Sequence, residues 1–96
     1  MEADEKRILV VEDETVIRDA VSAYLERENY AVRGVGDGQS AVEEFQKHSF
    51  DLVILDLMLP KLSGERVCRA IRDVSNVPII MLTAKGEVED RIIGLE

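Results

Sequence analysis

Runs of apolar residues alternate along this chain with segments in which apolar residues recur at every third or fourth position. The apolar, β-branched runs are typical of buried strands, and the segments with helical spacing are typical of amphipathic helices. The predicted strands are 7–11, 31–35, 52–55 and 77–82. The predicted helices are 14–28, 39–47 and 64–73, with a fourth helix that begins near residue 87.

Strands that alternate with helices are joined by right-handed crossovers and form a parallel sheet. The nearly continuous apolar character of three strands indicates that helices cover both faces of that sheet. We therefore predict an α/β fold with a doubly wound parallel sheet. The apolar pattern of the fourth helix still includes Ile92, Ile93 and Leu95 just before the last residue, Glu96. We expect an incomplete fold, with four strands and a fourth helix that is cut short.

The composition restricts the possible classes of function. With 96 residues, of which 46% are hydrophobic, the chain is expected to form one domain with its own core. No apolar run approaches the roughly 20 residues that span a membrane, and the charged N-terminus lacks a signal-peptide pattern, so we expect a cytoplasmic protein with no membrane partner. The net charge of −8 argues against binding of nucleic acid by this surface. Cys68 is the only cysteine, which excludes an internal disulfide bond.

Polar side chains follow three of the predicted strands. Glu12 and Asp13 come after the first strand, Asp56 ends the third, and Thr83 follows the fourth. In an open parallel sheet these strand ends lie at the edge where ligands bind. Clustered carboxylates repel one another, so a proton or a cation must lie among them, and oxygen ligands of this kind suit Mg²⁺. The alternative is that the acidic pair only favours a helix N-terminus, and that Asp56 and Thr83 only end their strands.

Asp56 is also a candidate nucleophile. A carboxylate can attack phosphorus and form a mixed anhydride. Three more apolar residues follow Asp56, which fits poorly with a simple surface turn. The hydroxyl of Thr83 could donate to a phosphoryl oxygen, and the small side chain of Ala84 would leave its backbone N–H open to the same group.

These motifs resemble the receiver domain of two-component response regulators along nearly the whole chain, from residue 7 to residue 96. The residues that carry the resemblance are Glu12-Asp13, Asp56 with Pro60 and Gly64, and Thr83-Ala84. The resemblance implies the flavodoxin-like receiver fold, with Asp56 as the phosphoacceptor and Thr83 as the switch hydroxyl that contacts the phosphoryl group. The Mg²⁺ ligands that it implies are Glu12, Asp13, Asp56 and the backbone carbonyl of Met58. The residue sequences of these motifs are most similar to those of the OmpR/PhoB-like subclass, in which the receiver domain is fused to a winged-helix DNA-binding domain.

The resemblance implies a signalling domain that phosphorylates and dephosphorylates itself rather than a turnover enzyme. A sensor histidine kinase, or a small phosphodonor, would supply the phosphoryl group to Asp56 with Mg²⁺, and water would later remove it. The phosphorylated domain would control an output domain that regulates transcription. DNA would be bound only through that output domain.

The chain departs from the family pattern after its fourth predicted helix. The family has an essential lysine at the end of a fifth strand, and neither Lys61 nor Lys85 occupies that position. We therefore expect residues 1–96 to form a receiver domain that is truncated before the fifth strand and fifth helix. Loss of one preorganised electrostatic contact typically costs on the order of 10²–10³ in rate, so we expect impaired phosphorylation.

Two other interpretations stay open at the level of sequence. A Mg²⁺-dependent phosphatase of the haloacid dehalogenase type also uses a strand-end aspartate, but it carries a second aspartate where this chain has Met58. A non-catalytic fragment would instead pair with another chain, or form a homodimer or larger oligomer, through an exposed fourth strand and helix. A phosphorylation assay with Mg²⁺ and a small phosphodonor separates these interpretations.

Overall fold

The structure is a computed structural model that describes residues 5–56, 59 and 62–82, and the backbone alone of 88–93. Its strands are β1 (Arg7–Val11), β2 (Ala31–Val35), β3 (Leu52–Asp56), β4 (Ile79–Leu82) and β5 (Val88–Ile93). Its helices are α1 (Thr15–Arg27), α2 (Gly38–Lys47) and α3 (Gly64–Arg72). The sheet order is β2-β1-β3-β4-β5, and the first four strands are parallel. The predicted α/β fold with a doubly wound parallel sheet is confirmed.

The prediction of a fourth helix is wrong over residues Val88–Ile93. The backbone there forms strand β5, which pairs antiparallel with β4. The physical reason is the edge of β4, where unpaired N–H and C=O groups would otherwise be exposed. Val88, Ile92 and Ile93 are β-branched, and such residues fit a strand as well as an amphipathic helix. Among the described residues β4 therefore has a neighbouring strand on each side. The expectation that the fourth strand is an exposed edge is wrong.

One face of the sheet forms the main core with α2 and α3. Side chains alternate along each strand, so every second residue points to this face. The strand residues buried in this core are Leu9, Val11, Val53, Leu55, Ile79 and Met81. Ala41 of α2, three residues of α3 and Val77 before β4 complete it; the α3 residues are Val67, Cys68 and Ile71. Cys68 is thus a small packing residue, with 6% of its surface exposed.

The opposite face of the sheet is covered less completely. Ile8 and Val10 of β1 are buried on this side, whereas Ile54 of β3 and Ile80 of β4 are only half-buried. The helix near β1 and β2 is α1, and none of its residues is buried.

None of the helices in the described ranges has the length and apolar character that crossing a membrane requires.

The start of α2 fixes the distance between α2 and α3. Asp37 caps α2, because its Oδ1 accepts a hydrogen bond from the backbone N–H of Ser40 at 2.8 Å. A Cβ at Gly38 would lie 2.8 Å from Cγ2 of Val67 and would also meet the backbone carbonyl oxygen of Leu62. Only glycine allows the two helices to approach this closely.

Candidate metal centre

The ends of β1 and β3 bring acidic side chains to one edge of the sheet. The two strands are parallel neighbours, and Val11 lies opposite Leu55 in their register. Glu12 and Asp56 follow these paired residues directly, so they lie side by side at the same edge of the sheet. Only 8% of Glu12 and 6% of Asp56 are exposed, whereas Asp13 is exposed to solvent.

The three carboxylates lie close enough to share one cation. One oxygen each from Glu12, Asp13 and Asp56 can be chosen so that all three atoms lie within 4.8 Å of one another. The cluster offers oxygen ligands alone, which is the chemistry preferred by hard divalent cations such as Mg²⁺. Asp13 is the member of the cluster that is exposed to solvent.

Hydrogen bonds fix Glu12 at its backbone and at its side chain. Its N–H donates to the carbonyl oxygen of Val35 at 3.0 Å, which ties the end of β1 to the end of β2. Its Oε2 accepts a hydrogen bond from the backbone N–H of Glu14 at 3.0 Å. Its carbonyl oxygen accepts a hydrogen bond from Nη1 of Arg18 at 2.8 Å. The Glu12 carboxylate is therefore held in place within the protein itself.

The surroundings of Glu12 disfavour its negative charge. Burial is the largest cause that raises the pKa of Glu12, and the charges of Asp56 and Asp13 raise that pKa further. The hydrogen bond from the N–H of Glu14 acts in the opposite direction but does not cancel these effects. A buried carboxylate that is short of positive charge gains from a bound cation. The donor atoms and the electrostatics of the cluster both fit Mg²⁺.

The structure brings together three of the residues singled out in the sequence. The predicted cluster of Glu12, Asp13 and Asp56 is present as a geometric group. Met58 and Thr83, which the sequence analysis also singled out, lie outside the described residues.

Arg18 is the residue of this region that sequence reasoning missed. It lies on α1, yet its side chain reaches the backbone of Glu12 at the end of β1. A charged residue on a helix is usually part of a solvated face, so its sequence position gave no reason to single it out. The available signal was the pair of glycines at positions 34 and 36, which point to a place where another group approaches the chain closely.

Comparison with known proteins agrees with this fold and this acidic edge. Residues 8–96 match the family described as the response regulator receiver domain. The chain is 47% identical over 94 residues to the transcriptional regulatory protein CseB of Streptomyces coelicolor, covering 98% of this chain and 40% of CseB. It is also 47% identical over 95 residues to the transcriptional regulatory protein ResD of Bacillus subtilis, covering 99% of this chain and 40% of ResD.

A solved structure with a similar fold is the response regulator TrrA of Thermotoga maritima in complex with Mg²⁺ and BeF. Its TM-score is 0.78 at 41% sequence identity, over 82% of this chain and 70% of that one. The curated relatives are named as transcriptional regulators, in agreement with the OmpR/PhoB-like resemblance, and the chain spans about 40% of their length. The fold, the acidic edge of the sheet and the match along residues 8–96 together show that this chain belongs to the response regulator receiver domain family.

Proposed function

We propose that this chain is a phosphoacceptor domain that takes a phosphoryl group onto Asp56 with the help of Mg²⁺. The observation that carries the proposal is the group of three carboxylate oxygens within 4.8 Å at the ends of β1 and β3. Two of these carboxylates are buried, and the third is open to solvent. Three carboxylates this close together favour the binding of a cation among them.

The three carboxylates share one part in the proposed reaction, and Asp56 has a second. Glu12, Asp13 and Asp56 would hold Mg²⁺, together with the backbone carbonyl of Met58 that the family resemblance implies. The bound ion supplies positive charge that offsets the carboxylates and the phosphoryl oxygens. An oxygen of Asp56 forms a bond to phosphorus, and the bond from phosphorus to the donor atom breaks. With a phosphohistidine donor, the electron pair of the broken bond returns to the imidazole nitrogen.

The resulting acyl phosphate lasts only until it is hydrolysed, so the signal that it carries has a limited lifetime. Attack of water on phosphorus restores the Asp56 carboxylate and releases inorganic phosphate. By the family resemblance, Thr83 is the switch hydroxyl: it would contact the bound phosphoryl group and couple phosphorylation to the rest of the domain. We assign the whole of residues 1–96 to this receiver domain and expect it to work in the cytoplasm.

The proposed partner on the input side is a sensor histidine kinase. On the output side we propose a transcriptional output domain, because the curated relatives are named as transcriptional regulators and are longer than this chain. The net charge of −8 makes this domain itself a poor ligand for DNA. DNA binding therefore belongs to the output domain.

The proposal is tested by treating the protein with phosphoramidate and Mg²⁺ and measuring its intact mass. Phosphoramidate is a suitable probe because its P–N bond resembles that of a phosphohistidine. We expect one added phosphoryl group, which should not form when Mg²⁺ is chelated before phosphoramidate is added and should be absent in Asp56→Asn. Asp51→Asn is the matched control, because Asp51 is exposed and lies just before the opposite end of β3. Equal labelling of Asp56→Asn and the wild type would contradict the proposal.

A further inference from the structure

The side chain of Arg18 crosses the end of β2 on its way to the acidic cluster. Its Cγ and Cδ lie 3.2 and 3.3 Å from the place where a Cβ would stand on Gly34, and its Nη1 lies 3.0 Å from that place on Gly36. The two glycines are two positions apart, so they present the same face of the chain. The arginine thus lies over a strip of bare backbone that leads from α1 to Glu12.

The atom that Arg18 reaches is the carbonyl oxygen of Glu12, at 2.8 Å from Nη1. This oxygen belongs to the peptide bond between Glu12 and Asp13, and a peptide bond is planar. A hydrogen bond that fixes the oxygen also fixes the plane from which both carboxylate side chains project. The guanidinium is a charged donor, and hydrogen bonds from charged donors are stronger than those between neutral groups.

We propose that Arg18 is a positioning residue for the metal centre, and that it acts through the Glu12–Asp13 peptide bond while Gly34 and Gly36 leave room for it. The inference rests on the proposed function, because it assigns Arg18 to the same Mg²⁺ site. In this role Arg18 is not a ligand of the ion, because the group of the cluster that it contacts is the backbone carbonyl oxygen of Glu12. Its effect is to hold two of the ion's ligands in one orientation before the ion arrives.

The test compares Mg²⁺ affinity in variants that remove or displace the guanidinium. Arg18→Met keeps an unbranched side chain over the glycines but removes the donor. Loss of a group that orients metal ligands typically weakens affinity 10–100-fold. We expect Mg²⁺ binding, measured by isothermal titration calorimetry, to weaken by about 10-fold. Arg27→Met is the matched control, since Arg27 is an exposed arginine in the last turn of the same helix.

A second variant, Gly36→Ala, disturbs the hydrogen bond between Arg18 and the carbonyl oxygen of Glu12 without changing Arg18 itself. The Cβ of Gly36→Ala would meet Nη1, which is the end of a flexible side chain, so the guanidinium moves while the fold is kept. Gly36→Ala is expected to weaken Mg²⁺ binding by less than Arg18→Met, because Nη1 has to move by only a few tenths of an ångström. Addition of Arg18→Met to Gly36→Ala should bring the affinity to that of Arg18→Met alone, because both changes act on one hydrogen bond. Arg18→Lys should restore part of the affinity, because lysine keeps one charged donor.

A spectroscopic measurement on the metal-free protein separates positioning from general stability. The ¹³C resonance of the Glu12 carbonyl should move upfield in Arg18→Met and in Gly36→Ala, and stay unchanged in Arg27→Met. An unchanged carbonyl resonance and unchanged affinity in either of the first two variants would overturn the inference, while Mg²⁺ binding by the wild type would leave the proposed function standing. A wild type that binds no Mg²⁺ would overturn the proposed function and this inference with it. Independent losses that multiply in the double variant would also overturn the inference.

Discussion

At the scale of single residues, Glu12 is the member of the acidic cluster whose pKa is raised. It is buried beside two other carboxylates, and its pKa is raised mainly by that burial. The sequence predicts that Glu12 lies near Asp56, because both come at the end of apolar runs. The sequence does not reveal Arg18, because the contact with the carbonyl of Glu12 depends on how α1 lies against β2.

The raised pKa of Glu12 predicts how stability depends on pH in the absence of Mg²⁺. Since the folded pKa exceeds the unfolded value of about 4.3, the contribution of Glu12 to stability is fully present below that value and is lost as pH rises through the folded pKa. Glu12→Gln keeps the acceptor for the N–H of Glu14 and removes the charge. We expect Glu12→Gln to be more stable than the wild type at pH 7 with a chelator, as measured by urea unfolding.

The difference between the two proteins should shrink as the pH is lowered through the raised pKa of Glu12, because the carboxyl group of the wild type then becomes protonated. Glu26→Gln is the control, because Glu26 is exposed on α1 and is not part of the cluster. A wild type that gains stability over Glu12→Gln as pH rises, with chelator present, would contradict the assigned pKa shift.

Asp13 predicts a separate effect, on metal binding rather than on folding. It is the exposed carboxylate of the cluster, so its removal should cost little stability without metal. Mg²⁺ at 100 times its dissociation constant should stabilise the wild type by about 2.7 kcal/mol. We expect Asp13→Asn to lose most of this stabilisation in a thermal denaturation experiment. Asp19→Asn, an exposed aspartate on α1, should respond to Mg²⁺ as the wild type does, and an equal response of Asp13→Asn would remove Asp13 from the site.

At the scale of elements, the close approach of α2 and α3 depends on Gly38. A Cβ there would meet the backbone of Leu62 and the side chain of Val67, and the backbone oxygen cannot move aside cheaply. We expect Gly38→Ala to destabilise the domain by about 1–3 kcal/mol, which is typical of overpacking, in urea unfolding. Gln39→Ala is the control, because Gln39 is the exposed neighbour of Gly38 in the same turn. Equal stability of the two variants would show that the helices can move apart.

Residues 88–93 show where local pattern and tertiary pairing disagree. The spacing of Val88, Ile92 and Ile93 predicts a helix, whereas the backbone forms strand β5 along the edge of β4. Short apolar segments rich in β-branched residues suit both states, so the neighbouring strand decides between them. We expect ¹³Cα secondary shifts of the strand type across 88–93 in solution. Shifts of the helical type would instead support the helix that the sequence pattern predicts.

At the scale of the whole molecule, sequence alone predicts the parallel part of the sheet and the place of its acidic edge. The apolar runs at Arg7–Val11 and Leu52–Asp56 are separated by helices, so they can be neighbours only through crossover connections. The sequence does not predict that one face of the sheet is covered more completely than the other. That property depends on the packing of α1, whose side chains Val16 and Tyr24 stay exposed.

The central claim is that Asp56 carries the phosphoryl group, and borohydride trapping tests it most directly. Borohydride reduces the acyl phosphate of an aspartate to homoserine, so peptide mass spectrometry identifies the modified position after treatment with phosphoramidate and Mg²⁺. The account predicts homoserine at position 56, and none when Mg²⁺ is chelated. Homoserine at position 13 instead, or a phosphoryl adduct in the intact protein with no homoserine at position 56, would contradict it.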